Sequence, residues 1–219
     1  MSIKENLNQI QATIPSHVTL VAVSKTKPVE DLQEAYDAGM RDFGENKIQE
    51  MCDKYEVLPK DIRWHMIGHV QTNKVKYMAP FVHLIHGVDS LKLLVEINKQ
   101  AEKNNRVIDV LLQVFIADEE TKFGLDATEL NEILSNEIQK LPNVSVVGLM
   151  GMATFTDDEN QIREEFKTLK QLFDQHQANH SNLKIISMGM SGDYQMAIEE
   201  GSTMVRIGSS IFGHRNYNI

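Results

Sequence analysis

The sequence is poor in cysteine and has no long apolar run, and each absence excludes a class of protein. Its single cysteine, Cys52, has no second cysteine with which to form an intrachain disulfide, which predicts a reducing compartment. Cys52 falls at helical spacing between Ile48 and Tyr55, which favours a packed thiol over a nucleophile. No apolar run is long enough to span a bilayer, and the first residues lack the apolar core of a signal peptide. We therefore expect a cytoplasmic protein that does not enter membranes.

Basic side chains are also scarce. The 219 residues carry 22 Lys and Arg against 31 Asp and Glu, which gives a formal net charge of -9. Nucleic-acid binding needs a basic face that neutralises phosphates, so this balance argues against a general nucleic-acid partner. An apolar fraction of 42% is ordinary for a globular protein, and no linker or low-complexity stretch divides the chain. Residues 1–219 are therefore expected to form a single domain.

Eight short runs that are rich in valine and isoleucine and punctuated by glycine are typical of β-strands. Amphipathic runs with helical period separate them. Because parallel strands need such crossover helices, the alternation predicts an α/β fold of the (β/α)8 TIM-barrel type, with a doubly wound sheet as the alternative. The predicted strands are 18–24, 41–44, 63–68, 82–88, 107–116, 144–152, 184–190 and 203–208.

Several residues mark predicted helix ends. Pro28 suits the first position of the helix after the first strand, and Gly39 suits its end. Ser90 and Thr128 are predicted N-caps of two later helices. A leading helix is expected at residues 1–15, before the first strand. Since the last strand is followed by too few residues for a full helix, we expect the leading helix to cover the gap.

Lys25 is the first candidate for chemistry, because the active site of such barrels lies at the carboxyl ends of the strands. Strand alternation places Lys25 on the same face as Val21 and Val23, at the end of an apolar row. Loss of hydration lowers the pKa of a lysine and yields the free amine that attacks an aldehyde. The alternative is a lysine that extends into solvent beside Lys27.

Two glycine-serine segments follow the last two strands and predict a phosphate site. One comprises residues 191–193, and the other contains Ser209 and Ser210. Backbone amides at a helix start and close backbone approach at glycine favour anion binding, and the loops after strands seven and eight are the usual phosphate position in this barrel. Ordinary N-capping by Ser191 is the alternative. Asp193 would repel a phosphate, so its side chain is expected to point away.

Arg206 stands within the apolar last strand and cannot lose its charge there. It therefore requires a partner, either a carboxylate in a salt bridge or an acceptor on a ligand. The histidines are spaced like metal ligands in two pairs, His65 with His69 and His83 with His86. Both pairs lie in strand-like runs without a nearby acid or cysteine, so no metal site is predicted.

Several longer motifs occur in order along the chain. Together they resemble the bacterial pyridoxal phosphate homeostasis proteins, whose fold is the barrel domain of alanine racemase. The resemblance covers the chain from Val21 to Tyr217. The motifs are VAVSKTKP (21–28), FGENKIQE (43–50), WHMIGHVQTNK (64–74), KFGL (122–125), GLMGMATF (148–155), SMGMSGDY (187–194) and RIGSSIFGHRNY (206–217).

The resemblance implies that the cofactor is pyridoxal 5′-phosphate (PLP) and that Lys25 forms its internal aldimine. It also implies that Arg206 faces the pyridine nitrogen and that Asn46 lies beside the ring. The phosphate would be held by Ser191, Gly208 and Ser209.

The chain departs from the family pattern at the expected rim of the pocket. The family usually has leucine where this chain has His69-Val70, and it commonly has a smaller residue at Phe123. These differences leave open the shape of the rim and any role for Lys122.

Two function classes compete, a PLP carrier and an amino-acid racemase. Racemisation needs acid-base groups on both faces of the bound substrate, and the resemblance places the second group, a tyrosine, on a further domain of the racemases. The chain ends soon after its eighth strand, and Tyr194 and Tyr217 are its tyrosines near the site. We therefore expect a monomeric carrier that stores PLP or delivers it to apo PLP-dependent enzymes. A Schiff-base aldolase is a third hypothesis.

Overall fold

The structure is a computed structural model and describes residues 2–118 and 123–213. The apolar runs form eight parallel strands that hydrogen-bond in chain order and close on themselves, with the last strand paired to the first. All eight predicted strands are confirmed. Closure excludes the doubly wound alternative, which would leave two unpaired edges. The strands are β1 (Thr19–Val23), β2 (Asp42–Glu45), β3 (Arg63–Met66), β4 (Leu84–Val88), β5 (Ile108–Gln113), β6 (Val144–Met150), β7 (Ile185–Met190) and β8 (Met204–Ile207).

Helices surround the barrel. In the longest described helix, Glu159–Gln177, the side chains of Ile162, Phe166, Leu169 and Phe173 are buried at helical spacing. None of the described helices combines the length and apolar character needed to cross a bilayer. The helices are α1 (Ile3–Ala12), α2 (Val29–Asp37), α3 (Ile48–Val57), α4 (Val75–Met78), α5 (Leu91–Lys103), α6 (Ala127–Glu132), α7 (Glu159–Gln177), α8 (Tyr194–Glu199) and α9 (Ser209–Phe212). Of these, α3, α5, α7 and α8 pack directly on the strands of the barrel.

The core has two layers because successive strand residues face opposite sides of the sheet. The larger layer lies between strands and helices and includes Trp64, Phe43 and Phe166, each without exposed surface. A smaller apolar cluster fills part of the barrel interior. The remaining inward positions of several strands are polar and are described with the site. The interior cluster contains Val21, Leu84, Leu111, Met150 and Met204.

Of the two predicted N-caps, Ser90 is confirmed and Thr128 is wrong. Ser90 caps α5 by accepting a hydrogen bond from the amide of Leu93 at 3.2 Å. Thr128 is not a cap, because α6 begins at Ala127 and its N-cap is Asp126. The Asp126 carboxylate accepts from the Glu129 amide, and the Glu129 carboxylate accepts from the Asp126 amide. This reciprocal capping box satisfies two amides, whereas a Thr128 cap would leave them to solvent.

The helix after β1 begins one residue later than predicted. Pro28 is its N-cap, with extended backbone, and not its first helical residue. Gly39 follows the helix with φ +104°, so the predicted left-handed termination is confirmed.

The leading helix packs between the helix that follows the first strand and the short helix that follows the last strand. It spans Ile3–Ala12, buries Leu7 completely and packs against both α2 and α9. Asn6 donates from its side-chain amide to the carbonyl oxygen of Ile211 at 3.0 Å, which ties it to the short helix after β8. The expectation that the leading helix covers this position is confirmed by these contacts.

Candidate functional site

All six predicted site residues line one cavity at the carboxyl ends of the strands. Its volume is about 750 Å³. Depressions of 610 and 620 Å³ elsewhere lie on the outer surfaces of helices, away from the barrel mouth. Because the six residues come from four separate segments, the fold itself brings them together. They are Lys25, Asn46, Ser191, Arg206, Gly208 and Ser209.

Lys25 continues the inward row of β1. Val21 belongs to the interior cluster, and both Val23 and Lys25 line the cavity. Lys25 is partly buried, so the alternative of a lysine extending into solvent does not describe it. Lys27 also lines the cavity, but its Nζ donates to the carbonyl oxygens of Phe212 and Gly213 at 2.9 and 3.1 Å. The two lysines of this turn therefore have different environments.

A buried ion pair supports the strand end that carries Lys25. Lys54 of α3 donates from Nζ to the carbonyl oxygen of Ser24 and to Glu45 Oε1, both at 2.8 Å. The Ser24 hydroxyl donates to the same carboxylate oxygen at 2.5 Å. Burial raises the pKa of Glu45, and the Lys54 ammonium opposes that rise. Sequence reasoning gave Lys54 no role.

The residue after Lys25 is held in the left-handed region of backbone space. Thr26 has φ +63°, a conformation that costs a non-glycine residue on the order of 1–3 kcal/mol. Its amide donates to Glu50 Oε1 at 2.6 Å, and the same oxygen accepts from Lys54 at 2.7 Å. Lys25 therefore lies between two residues that are both anchored by α3.

The loops after β7 and β8 contact each other across the cavity. The Gly208 amide donates to Ser191 Oγ at 3.3 Å, so both loops can reach one small anion. A side chain at Gly208 would place its Cβ 3.0 Å from the carbonyl oxygen of Val23. Glycine at this position therefore favours the close approach between the loop after β8 and the strand that precedes Lys25.

The segment after β7 differs in detail from its prediction. The helix expected from Ser191 begins at Tyr194, with Asp193 at its N-cap. Asp193 lines the cavity, and its Oδ1 accepts from the amide of Met190 at 2.6 Å. This bond holds the carboxylate to its own turn.

Arg206 is 3% exposed and lies in the barrel interior. It donates from NH1 to the hydroxyl of Ser187 and from NH2 to the carbonyl oxygen of Gly151 at 3.3 Å. Burial lowers the pKa of Arg206 to about 10, and Asp193 opposes the shift, so the guanidinium is cationic at neutral pH. Its bonded partners are a hydroxyl and a carbonyl oxygen, in place of the carboxylate that a salt bridge would supply.

The two departures from the family pattern form one feature of the rim. The imidazole of His69 stacks on the ring of Phe123 with centroids 4.7 Å apart, and both residues line the cavity. His69 Nδ1 also lies 3.2 Å from Asp89 Oδ2. Below the rim, a Cβ at Gly68 would come within 2.8 Å of the Asn46 Cα, so this glycine makes room for Asn46. Lys122 lies outside the described residues.

The histidine contacts cross between strands. His65 Nδ1 lies 2.9 Å from His86 Nε2, and His65 Nε2 lies 2.9 Å from Asp42 Oδ1. An acid therefore does accompany the histidines, contrary to the sequence prediction. Asp42, His65 and His83 offer ligand atoms within 4.8 Å of one another. However, Arg63 binds both Asp42 oxygens at 2.8 and 2.6 Å, so an ion pair occupies the carboxylate.

Tyr194, one of the two tyrosines considered near the site, is directed elsewhere. Its hydroxyl shares a hydrogen bond of 2.9 Å with Thr13 Oγ1 at the end of the leading helix. Tyr217, the other, lies outside the described residues. Cys52 is packed as predicted, since its thiol contacts the Tyr77 carbonyl oxygen and burial raises the pKa of the thiol.

Comparison with known proteins agrees with this geometry. The alanine racemase N-terminal domain family matches residues 1–216. Relatives named pyridoxal phosphate homeostasis protein include that of Aquifex aeolicus, 45% identical over 90% of this chain and 87% of its own. The corresponding protein of Pasteurella multocida is 39% identical over the whole of both chains.

Solved structures show the same barrel fold. PipY of Synechococcus elongatus with PLP bound has a TM-score of 0.89 and 33% identity, covering 97% of this chain and 100% of PipY. Alanine racemase of Clostridium difficile has a TM-score of 0.82 at 15% identity, and the match covers 58% of that chain, so this likeness concerns the fold alone. The chain belongs to the pyridoxal phosphate homeostasis protein family, built on the alanine racemase N-terminal domain fold.

Proposed function

We propose that this protein binds pyridoxal 5′-phosphate as a Schiff base on Lys25 and stores or delivers it in intracellular vitamin B6 homeostasis. One observation carries the proposal: an amine, a buried guanidinium and two glycine-serine loops face the same cavity. Relatives that match along the whole chain bear the name of this function, and the PipY structure contains PLP.

The cavity fits the cofactor in size and in donor set. A volume of about 750 Å³ is ample for a small phosphorylated ring. The Ser191 and Ser209 hydroxyls and the Gly208 amide suit the phosphate, and Asn46 lies at the side of the cavity. When bound, PLP supplies an aldehyde that condenses reversibly with a primary amine, here that of Lys25.

Arg206 favours a carrier over a catalyst. A guanidinium donates hydrogen bonds and accepts none, so a ring nitrogen facing it stays unprotonated. An unprotonated pyridine withdraws electrons less strongly than one paired with a carboxylate, which weakens support for carbanion chemistry. The same electronic argument applies to any enzyme with an arginine at this position, so it does not exclude catalysis. An amino-acid racemase is therefore the second candidate function, and an activity assay distinguishes the two.

The remaining parts of the proposal concern partners and location. We propose that residues 1–219 act as one PLP-binding domain, as a monomer in the cytoplasm, with apo PLP-dependent enzymes as acceptors of the cofactor. The formal net charge of -9 disfavours nucleic acid as a further partner.

The proposal is tested by titrating the purified protein with PLP and recording absorbance. The wild-type protein is expected to turn yellow and to saturate at one PLP per chain. Lys25→Ala should lose the long-wavelength band and keep only weak binding through the phosphate loops. Lys47→Ala, at an exposed lysine outside the cavity, is the matched control and should titrate like the wild type. An unchanged band in Lys25→Ala would refute covalent attachment there.

A second assay separates carrier from racemase. The PLP-loaded protein is incubated with L-alanine and other amino acids, and the D-enantiomer is measured by chiral chromatography. We expect no turnover above that of free PLP, together with transfer of PLP to an apo-enzyme, measured as regained activity. Racemisation at enzymatic rates would replace the carrier proposal with the racemase.

A further inference from the structure

A line of buried polar side chains runs along the barrel interior from the cavity to the amino-terminal ends of the strands. Arg206 donates to the Ser187 hydroxyl, which lies 2.9 Å from His86 Nδ1. His86 Nε2 lies 2.9 Å from His65 Nδ1, and His65 Nε2 lies 2.9 Å from Asp42 Oδ1. Five side chains, each from a different strand, thus form one continuous hydrogen-bonded chain.

The groups at the two ends, together with neutral histidines, determine the direction of every bond. The guanidinium of Arg206 can only donate. At the other end, burial alone would raise the pKa of Asp42, but hydrogen bonds from Arg63 and His65 outweigh it and hold the pKa well below its usual range. Asp42 is therefore an anion that can only accept.

With neutral histidines, a single assignment satisfies every link. Ser187 accepts from Arg206 and donates its own hydrogen to His86 Nδ1. His86 then donates from Nε2 to His65 Nδ1, and His65 donates from Nε2 to Asp42. Both rings are consequently Nε2–H tautomers.

Burial makes the complete chain necessary. Ser187 and His86 have no exposed surface, and His65 is 1% exposed. Burial is the main cause that holds the pKa of His86 well below its ordinary value, and the charge of Arg206 acts in the same direction. A broken link would leave a buried polar group without a partner, which is destabilising. The chain is thus a rigid support and not a loose set of contacts.

We propose that Ser187, His86 and His65 are positioning residues, which fix the Arg206 guanidinium at the cavity floor through this one-way hydrogen-bond chain. The Ser187 hydroxyl hydrogen is committed to His86, so Ser187 always presents a lone pair to Arg206. The inference deepens the proposed function and rests on it in one respect, namely that the fixed guanidinium faces the ring nitrogen of PLP.

The tautomers are tested first, in protein without PLP. Long-range proton–nitrogen NMR spectra of protein labelled in its histidines report which ring nitrogen carries the proton. We expect His65 and His86 both to be neutral with the proton on Nε2 at pH 7. A proton on Nδ1 of either ring, or a doubly protonated ring, would overturn the proposed direction of the chain.

Variants test the positioning role. Ser187→Ala removes the central link, and the guanidinium protons of Arg206 should then exchange faster with solvent. The affinity for PLP should fall about tenfold, and the absorbance band of the bound cofactor should shift. Ser187→Thr keeps a hydroxyl and should restore the band. His83→Asn is the matched control, because His83 approaches the His65 ring edge-on without being a link in the chain.

The outcomes separate the two proposals. If wild-type protein fails to bind PLP, the proposed function fails, and the tautomers together with Arg206 proton exchange still decide the positioning role. If PLP binds while Ser187→Ala leaves both Arg206 exchange and the cofactor band unchanged, the positioning role alone is refuted.

Discussion

Lys54 Nζ lies 2.8 Å from the carbonyl oxygen of Ser24, so a buried ammonium from α3 holds the residue directly before Lys25. The same ammonium pairs with Glu45, which has no exposed surface and whose Oε2 has no hydrogen-bond partner among the described residues. The position of the pocket lysine therefore depends on a charge pair that lies behind the cavity.

Breaking this pair on one side should be costly. Lys54→Met leaves the Glu45 carboxylate buried and unpaired, so the free energy of unfolding should fall by about 3–5 kcal/mol. Lys54→Met combined with Glu45→Leu removes both charges and should recover more than half of that loss. Urea denaturation followed by circular dichroism measures both variants. A double variant as unstable as Lys54→Met would show that the ion pair is not the source of the effect.

Substitution by alanine should destabilise one glycine position of the cavity and leave another unaffected. Gly68→Ala forces a Cβ against the Asn46 backbone and should cost about 1–3 kcal/mol of stability and weaken PLP binding. Gly192→Ala meets nothing within 4 Å and should fold like the wild type. Thermal unfolding and PLP titration compare the pair. Equal losses in both variants would contradict the close packing at Asn46.

Asp42 makes stability depend on pH in acid. Its pKa is lowered in the folded protein, so its contribution is present above the ordinary pKa of about 3.9 and is lost as pH falls below it. In that range the unfolding free energy of the wild type should fall by ~1.4 kcal/mol per pH unit more steeply than that of Asp42→Asn. Denaturant unfolding at stepped pH measures the slopes. Asp174→Asn, at an exposed ion pair, is the control and should keep the wild-type slope.

The aromatic stack at the rim should govern how fast PLP leaves. Phe123→Ala removes the ring on which His69 stacks, so release of PLP to an excess of acceptor apo-enzyme should accelerate several-fold, with little change in stability. Phe115→Ala, at an exposed ring that does not line the cavity, is the control. Stopped-flow absorbance reports the rate. Equal rates in Phe123→Ala and the wild type would exclude a gating role for the rim.

The order of elements was predictable from sequence because strand alternation and glycine punctuation are local signals. The site residues were predictable for a related reason. Residues that directly follow parallel strands meet at one end of a barrel, so Lys25 and Ser209 had to lie near each other once the fold was known.

The supports of the site were not predictable, because their partners are distant in sequence. His86 bonds His65 and Ser187, which are 21 and 101 residues away, whereas the spacing in the sequence suggested a pair with His83. Lys54 resembles any charged helix residue in the sequence, and its role follows only when α3 packs on β2 and β3 and brings Nζ to the carbonyl oxygen of Ser24. The start of α6, by contrast, could have been predicted from local sequence, because Asp126 has a glutamate three positions later and Thr128 does not.

The most direct test of the account is to locate the covalent attachment itself. The PLP-loaded protein is reduced with borohydride, digested and mapped by tandem mass spectrometry. The account predicts that the pyridoxyl group lies on Lys25 in stoichiometric yield, with Lys27 unmodified in the same peptide. Modification spread over several surface lysines, or confined to Lys27, would contradict it.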